Sequence, residues 1–185
     1  MASGEVAMPL QKAGEQYGPE LDDDTYRMVQ QLFQVVRSGD CEQVERLLEM
    51  GLVPNLRDGK GNSLLMLAAY HGHVDLVRVL LRYGADPELV NDRGQTPLQA
   101  VAFKGDLATG RALVSGGADV NGCGEDGKTP LMYAAMFERV AIIEWLIEQG
   151  ADPHRQTADA MTAEQMARVM GAEAAVERLV RCECE

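Results

Sequence analysis

The sequence predicts an all-α solenoid of stacked helix-turn-helix units joined by hairpin-like loops. Two markers carry that prediction. Tyr83-Gly84-Ala85-Asp86-Pro87, Gly116-Gly117-Ala118-Asp119-Val120 and Gln149-Gly150-Ala151-Asp152-Pro153 place a Gly-Ala-Asp every 33 residues. Gly61-Asn62-Ser63-Leu64-Leu65, Gly94-Gln95-Thr96-Pro97-Leu98 and Gly127-Lys128-Thr129-Pro130-Leu131 repeat at the same spacing. Two independent markers with one period of this size denote a stacked repeat array.

Aligned on that period, the chain divides into units at about 25–57, 58–90, 91–123, 124–156 and 157–185. Residues 1–24 precede them as a flexible acidic tail, since residues 1–20 hold three glycines, two prolines and little periodicity. In unit one, Asp22-Asp23-Asp24 stand before a helix from Tyr26 to Val36, where the helix dipole favours negative charge. Asp40 with Gln43 starts its second helix. In unit two, Ser63 caps Leu64-Leu65-Met66-Leu67-Ala68-Ala69, His71-Gly72 turns the chain, and Val74, Leu76, Val77, Leu80 and Leu81 form the next apolar stripe. Gly84 stops that helix in the left-handed region.

Unit three has the fullest start signal: Thr96 at the N-cap, Pro97 at N1 and Gln99 at N3. Gly110 and Ala112 fall on the stripe of its second helix, so its packing should be thin and unit three the loosest internal unit. In unit four, Glu138-Arg139 occupy a turn that favours positive φ. Thr162 with Gln165 opens unit five, which closes on the half-charged helix around Val176-Glu177-Arg178-Leu179-Val180. Polar outer faces on both end units suit an array that must stay soluble.

The Thr-Pro-Leu start, the alanine pair, the Gly-His turn, the Leu-Val-x-x-Leu-Leu helix and the Gly-Ala-Asp-x-Asn end resemble ankyrin repeats. Thr129-Pro130-Leu131-Met132-Tyr133-Ala134-Ala135 and Gly72 to Leu81 are the most similar segments. The family's usual His after Thr-Pro-Leu is Met66, Gln99 and Met132 here, so its local hydrogen bond is absent or replaced. His73 sits in the family's Gly-His turn, which implies a structural role.

Composition narrows the function. The formal net charge is −12, with acidic excess concentrated in 1–24 and 157–185. Such a chain is a poor ligand for phosphate backbones, so no direct nucleic-acid contact is expected, and charge favours a basic partner. The alternative is that acidity only maintains solubility. No apolar run approaches the roughly 20 residues that span a membrane, and the N-terminus lacks secretory-signal character. Cys41, Cys123, Cys182 and Cys184 have no framework spacing, as in a cytoplasmic protein with reduced thiols.

Neither His71-x-His73 nor Cys182-Glu183-Cys184 has companions at metal-site spacing, and no nucleophile has an evident base. The expectation is a non-enzyme without metal or cofactor, acting as a monomer.

The resemblance implies that a protein partner is held on a concave face made of loop tips and first helices. Register assigns Arg57, Lys60, Asn62, Asp92, Arg93, Gln95, Glu125, Asp126 and Lys128 to or beside the tips, along with Gly59, Val90, Cys123 and Gln156. Tyr70-His71, Phe103-Lys104 and Met136-Phe137 fall at first-helix exits. Since the chain has only nine aromatics, Tyr70, Phe103 and Phe137 at equivalent positions suggest an interface ladder; the alternative is that each ring packs on the neighbouring unit. The leading reading is a small adaptor or regulator. Alternatives are a stoichiometric inhibitor or immunity-type neutraliser of an enzyme or toxin, a regulator acting through a transcription factor, and, last, a thiol-based sensor.

Overall fold

A computed structural model describes residues 23–182. The described residues form ten helices: α1 (Asp23–Ser38), α2 (Cys41–Glu49), α3 (Leu64–His71), α4 (Val74–Arg82), α5 (Pro97–Lys104), α6 (Leu107–Ser115), α7 (Pro130–Met136), α8 (Val140–Glu148), α9 (Ala163–Met170) and α10 (Glu173–Cys182). They pair within units, and successive pairs stack. Helix α1 begins at Asp23, inside the segment expected as a tail; the rest of that tail, and Cys184, lie outside the described residues.

The start signals form as read. Ser63 Oγ accepts from Met66 N–H at 3.0 Å, and Asp40 caps α2 through Gln43 N–H. Thr96 with Gln99 and Thr162 with Gln165 make reciprocal capping boxes. At Thr129 the N–H donates to the Met132 sulfur at 3.4 Å, a weak substitute for an amide oxygen. The side chain of Gln99 reaches further. It accepts from Thr96 N–H at 2.9 Å and donates to the carbonyls of Gly122 (3.2 Å) and Lys128 (2.6 Å), tying unit three to the next loop.

The loops are hairpin-like without becoming strands. Asp58 N–H donates to Asn62 O and Asn91 N–H to Gln95 O, while Arg57 and Ser63 make one isolated bridge. Neighbouring loops also bond: Asp92 N–H donates to Lys60 O at 3.2 Å, and Ala158 N–H to Asp126 O at 3.1 Å.

Glycines hold most positive-φ stations of the repeat, and two stations do not have one. Glu138 (φ 56°) stands where Gly72, Gly105 and Gly171 serve the other turns, and Ala160 (φ 59°) follows Gly61, Gly94 and Gly127. Both bear the Cβ strain of the left-handed region. At Glu138 there is compensation, since its Oε1 accepts from Ala174 N–H at 2.9 Å at the start of α10.

One continuous core runs through the stack. First helices contribute close-fitting side chains such as Ala68, Ala69, Ala102, Ala134, Ala135 and Ala167, and the second helices contribute Leu76, Leu80, Leu113, Ile142 and Leu146. Neighbouring first helices therefore approach more closely than neighbouring second helices, and the array curves with the first helices inside. The expectation of thin packing at Gly110 is corrected. The indole of Trp145 occupies the space, so that a Cβ on Gly110 would lie 3.1 Å from it. Helices α6 and α8 meet through that ring, and Trp145 is buried.

Candidate interaction face

The inner side of the curve carries the loop tips and the C-terminal ends of α3, α5 and α7. Short carboxylate and amide side chains set the tips. Asp58 accepts from the N–H groups of Lys60 (2.9 Å) and Asn62 (3.0 Å), and Asn91 does the same for Arg93 and Gln95. These turns leave Lys60, Asp92, Arg93 and Glu125 exposed.

Other expected tip residues are struts. Arg57 donates to Gly61 O at 2.9 Å and to Val90 O at 2.5 Å, bridging two loops. The side chain of Asn91 donates to Asn62 at 3.0 Å, and Gln95 donates to the Tyr133 hydroxyl at 3.4 Å. Arg57, Asn62 and Gln95 are thus half-buried and committed to the stack, which fixes the spacing of the exposed tips.

The helix exits form two apolar rungs. Phe103 and Phe137 meet edge to face with centroids 4.5 Å apart and are half-buried. Tyr70 is 42% exposed, with the ammonium of Lys104 at 4.8 Å from its ring centroid. The rings join adjacent units and still present surface, so packing and exposure coexist in them.

Beneath the exits, His73 Nε2–H donates to Arg37 O at 2.8 Å, and Arg139 Nε–H donates to Phe103 O at 3.1 Å. Each reaches back 36 residues, so Arg139 performs the staple that His73 performs two repeats earlier. At the intervening station, Asp106 caps its own helix through Thr109. His71 stacks on His73 at 6.0 Å. Burial first, then the positive charges of His73, Arg37 and Lys104, hold His71 below its ordinary pKa.

At the far end of the face, Asp126 and Lys128 form an ion pair of 2.7 Å. The ammonium of Lys128 is held above its usual pKa by the hydrogen bond to Asp126 and by nearby carboxylates, Asp159 among them. Burial pushes Asp126 upward, but its bonds to Lys128 outweigh that and leave it below the usual range. These two residues and Met136 edge a cleft of about 160 Å³ whose other walls are Met161, Met166, Val169 and Met170, with Asp159 at the rim.

Unit five supplies the walls that lie beyond the expected Tyr70, Phe103 and Met136-Phe137 ladder. Met161, Val169, Met170 and Asp159 lie 33 residues after Lys128, Met136, Phe137 and Asp126, so the same register extended by one unit finds them.

Among the described residues, no group of three or more His, Cys, Asp or Glu side chains converges on a metal-sized site. No described helix is long and apolar enough to cross a membrane.

The family model of ankyrin repeats matches in three overlapping copies, at residues 32–122, 65–157 and 102–185. The chain is also 58% identical over 59 residues to an ankyrin repeat protein of Pseudomonas aeruginosa. That stretch covers 32% of this chain and 34% of the relative, so about a third of each is compared.

Proposed function

Because the chain belongs to the ankyrin-repeat family, whose repeats mediate protein–protein interaction, we propose that it is a non-enzymatic adaptor or regulator that grips a protein partner on its inner face. The observation that carries this reading is the pair of partly exposed rungs, Tyr70 under Lys104 and Phe103 against Phe137, at equivalent positions of successive units. Aromatic side chains held rigid by a neighbour lose little entropy on binding and make effective anchors. A face spanning several units can reach the roughly 800 Å² per partner of a standard interface.

Charge on this face is mixed. Lys60, Arg93 and Lys104 are exposed beside Asp92 and Glu125, so the tips of units two to four do not by themselves select a basic partner. Inhibition of an enzyme or toxin, or control of a transcription factor, would each be a consequence of which partner is held.

The test is affinity capture from the native source with the full chain and with Tyr70→Ser/Lys104→Glu, two changes at exposed positions. A stoichiometric partner retained by the parent chain and weakened at least tenfold by the variant is expected. Undiminished binding to the variant would remove the inner face from the mechanism.

A further inference from the structure

Four of the ten methionines line one cleft: Met136 from α7, Met161 from the last loop, and Met166 and Met170 from α9. Clustering of this kind has a physical use. Methionine is unbranched and polarizable, so a methionine wall reshapes around different apolar side chains with little strain. The cleft is open at Met170 and Val169, which are 51% and 75% exposed. Such exposure of large apolar groups beside a cavity is a marker of an occupied surface. Its volume, about 160 Å³, suits a single large aliphatic or aromatic side chain.

The charges at the rim select the neighbours of that side chain. Asp126 and Asp159 face Lys128, giving two carboxylates to one ammonium, and Asp126 already neutralises Lys128 in a 2.7 Å pair. What remains is the negative charge of Asp159. Residues flanking an inserted apolar group would therefore be favoured as Lys or Arg and disfavoured as Asp or Glu. The cleft also continues the exit ladder, because Met136 adjoins Phe137 and Val169 is its register equivalent.

We propose that this cleft is the anchoring pocket for a partner segment carrying one large apolar residue flanked by basic residues. The inference rests on the inner face being the partner-binding one and gives that partner's contact a chemistry.

The test uses a displayed library of random dodecapeptides selected on the full chain, followed by titration of the selected peptides into protein with ¹³C-methyl-labelled methionine. Sequences with Leu, Met or Phe beside Lys or Arg should emerge. They should shift the methyl signals of Met136, Met161, Met166 and Met170 and leave those of Met50 and Met66 in place. Met170→Lys should weaken binding at least tenfold with the helical circular dichroism unchanged, and Asp159→Asn about threefold with a shallower salt dependence.

An acidic consensus, or selected peptides that bind without moving these methyls, would overturn the proposal. In the second case, loss of binding in Tyr70→Ser/Lys104→Glu would leave the inner-face reading standing while the cleft fails. Peptides that bind elsewhere and survive both sets of changes would end both readings.

Discussion

Glu88 occupies a station where units one and three have asparagine. Asn55 accepts from Asp86 N–H at 2.8 Å and Asn121 from Asp152 N–H at 2.9 Å; Glu88 accepts from Asp119 N–H at 2.9 Å. The asparagine at 121 also donates to Gly150 O, which a carboxylate cannot do. Burial raises the pKa of Glu88. The folded state therefore binds its proton more tightly than the unfolded chain, so the ionised group weakens the fold at neutral pH and the penalty fades as pH falls. Glu88→Asn should stabilise by about 1 kcal/mol at pH 7, the net worth of one hydrogen bond, and the gain should shrink toward pH 4 in urea titrations.

His71 has the opposite linkage. Its lowered pKa means that the unfolded chain takes up the proton first. Stability should fall as pH drops through the ordinary histidine range, and His71→Gln should flatten that part of the profile.

Ala160 is the plainest case of strain, being exposed and left-handed in a station that glycine fills elsewhere. Ala160→Gly should raise stability by roughly 0.5–1 kcal/mol, after the larger unfolded-state entropy of glycine is deducted. At Glu138 the same relief would be offset by loss of the bond to Ala174, so Glu138→Gly should be close to neutral.

Helix α6 shows how a weak element is completed by its neighbour. Glycine within a helix costs about 1 kcal/mol relative to alanine, and read alone the segment Leu107–Ser115 is a poor helix. The Trp145 ring lies against Gly110 and supplies the missing volume from the next unit. Trp145→Ala should therefore cost about 3–5 kcal/mol and speed hydrogen exchange in α6 as well as in α8. Faster exchange confined to α8 would show that the indole supports only its own helix.

Caps, turns and helix order were legible in the chain because each depends on a local signal: an Ser or Thr oxygen over a free N–H, or a glycine where φ is positive. The filling of the α6 groove was not legible, because it depends on a side chain 35 residues away in sequence.

Across the stack, the close approach of first helices curves the array and brings the tips and helix exits onto one face. Units one and two are stapled by His73, and units three and four by Arg139, while Asp106 serves its own helix between them. His73→Ala should lower the melting temperature by several degrees, the shift expected for loss of roughly 1 kcal/mol in a domain of this size. It should leave peptide binding at the methionine cleft of units four and five unchanged in affinity measurements.

The 33-residue period sets the number of units, their helix pairs, their caps and the family, since all of these follow from backbone preferences repeated along the chain. It also supplies the coordinate by which Tyr70, Phe103 and Met136 share one row and Lys104 and Phe137 the next. Distances between units settle the rest. Tyr70 is covered by Lys104, the two phenylalanines lock edge to face, Arg57 is spent as a strut, and four methionines enclose one cleft. The period is a property of each unit's own residues, whereas these contacts depend on how far one unit stands from the next, which is set by packing volume.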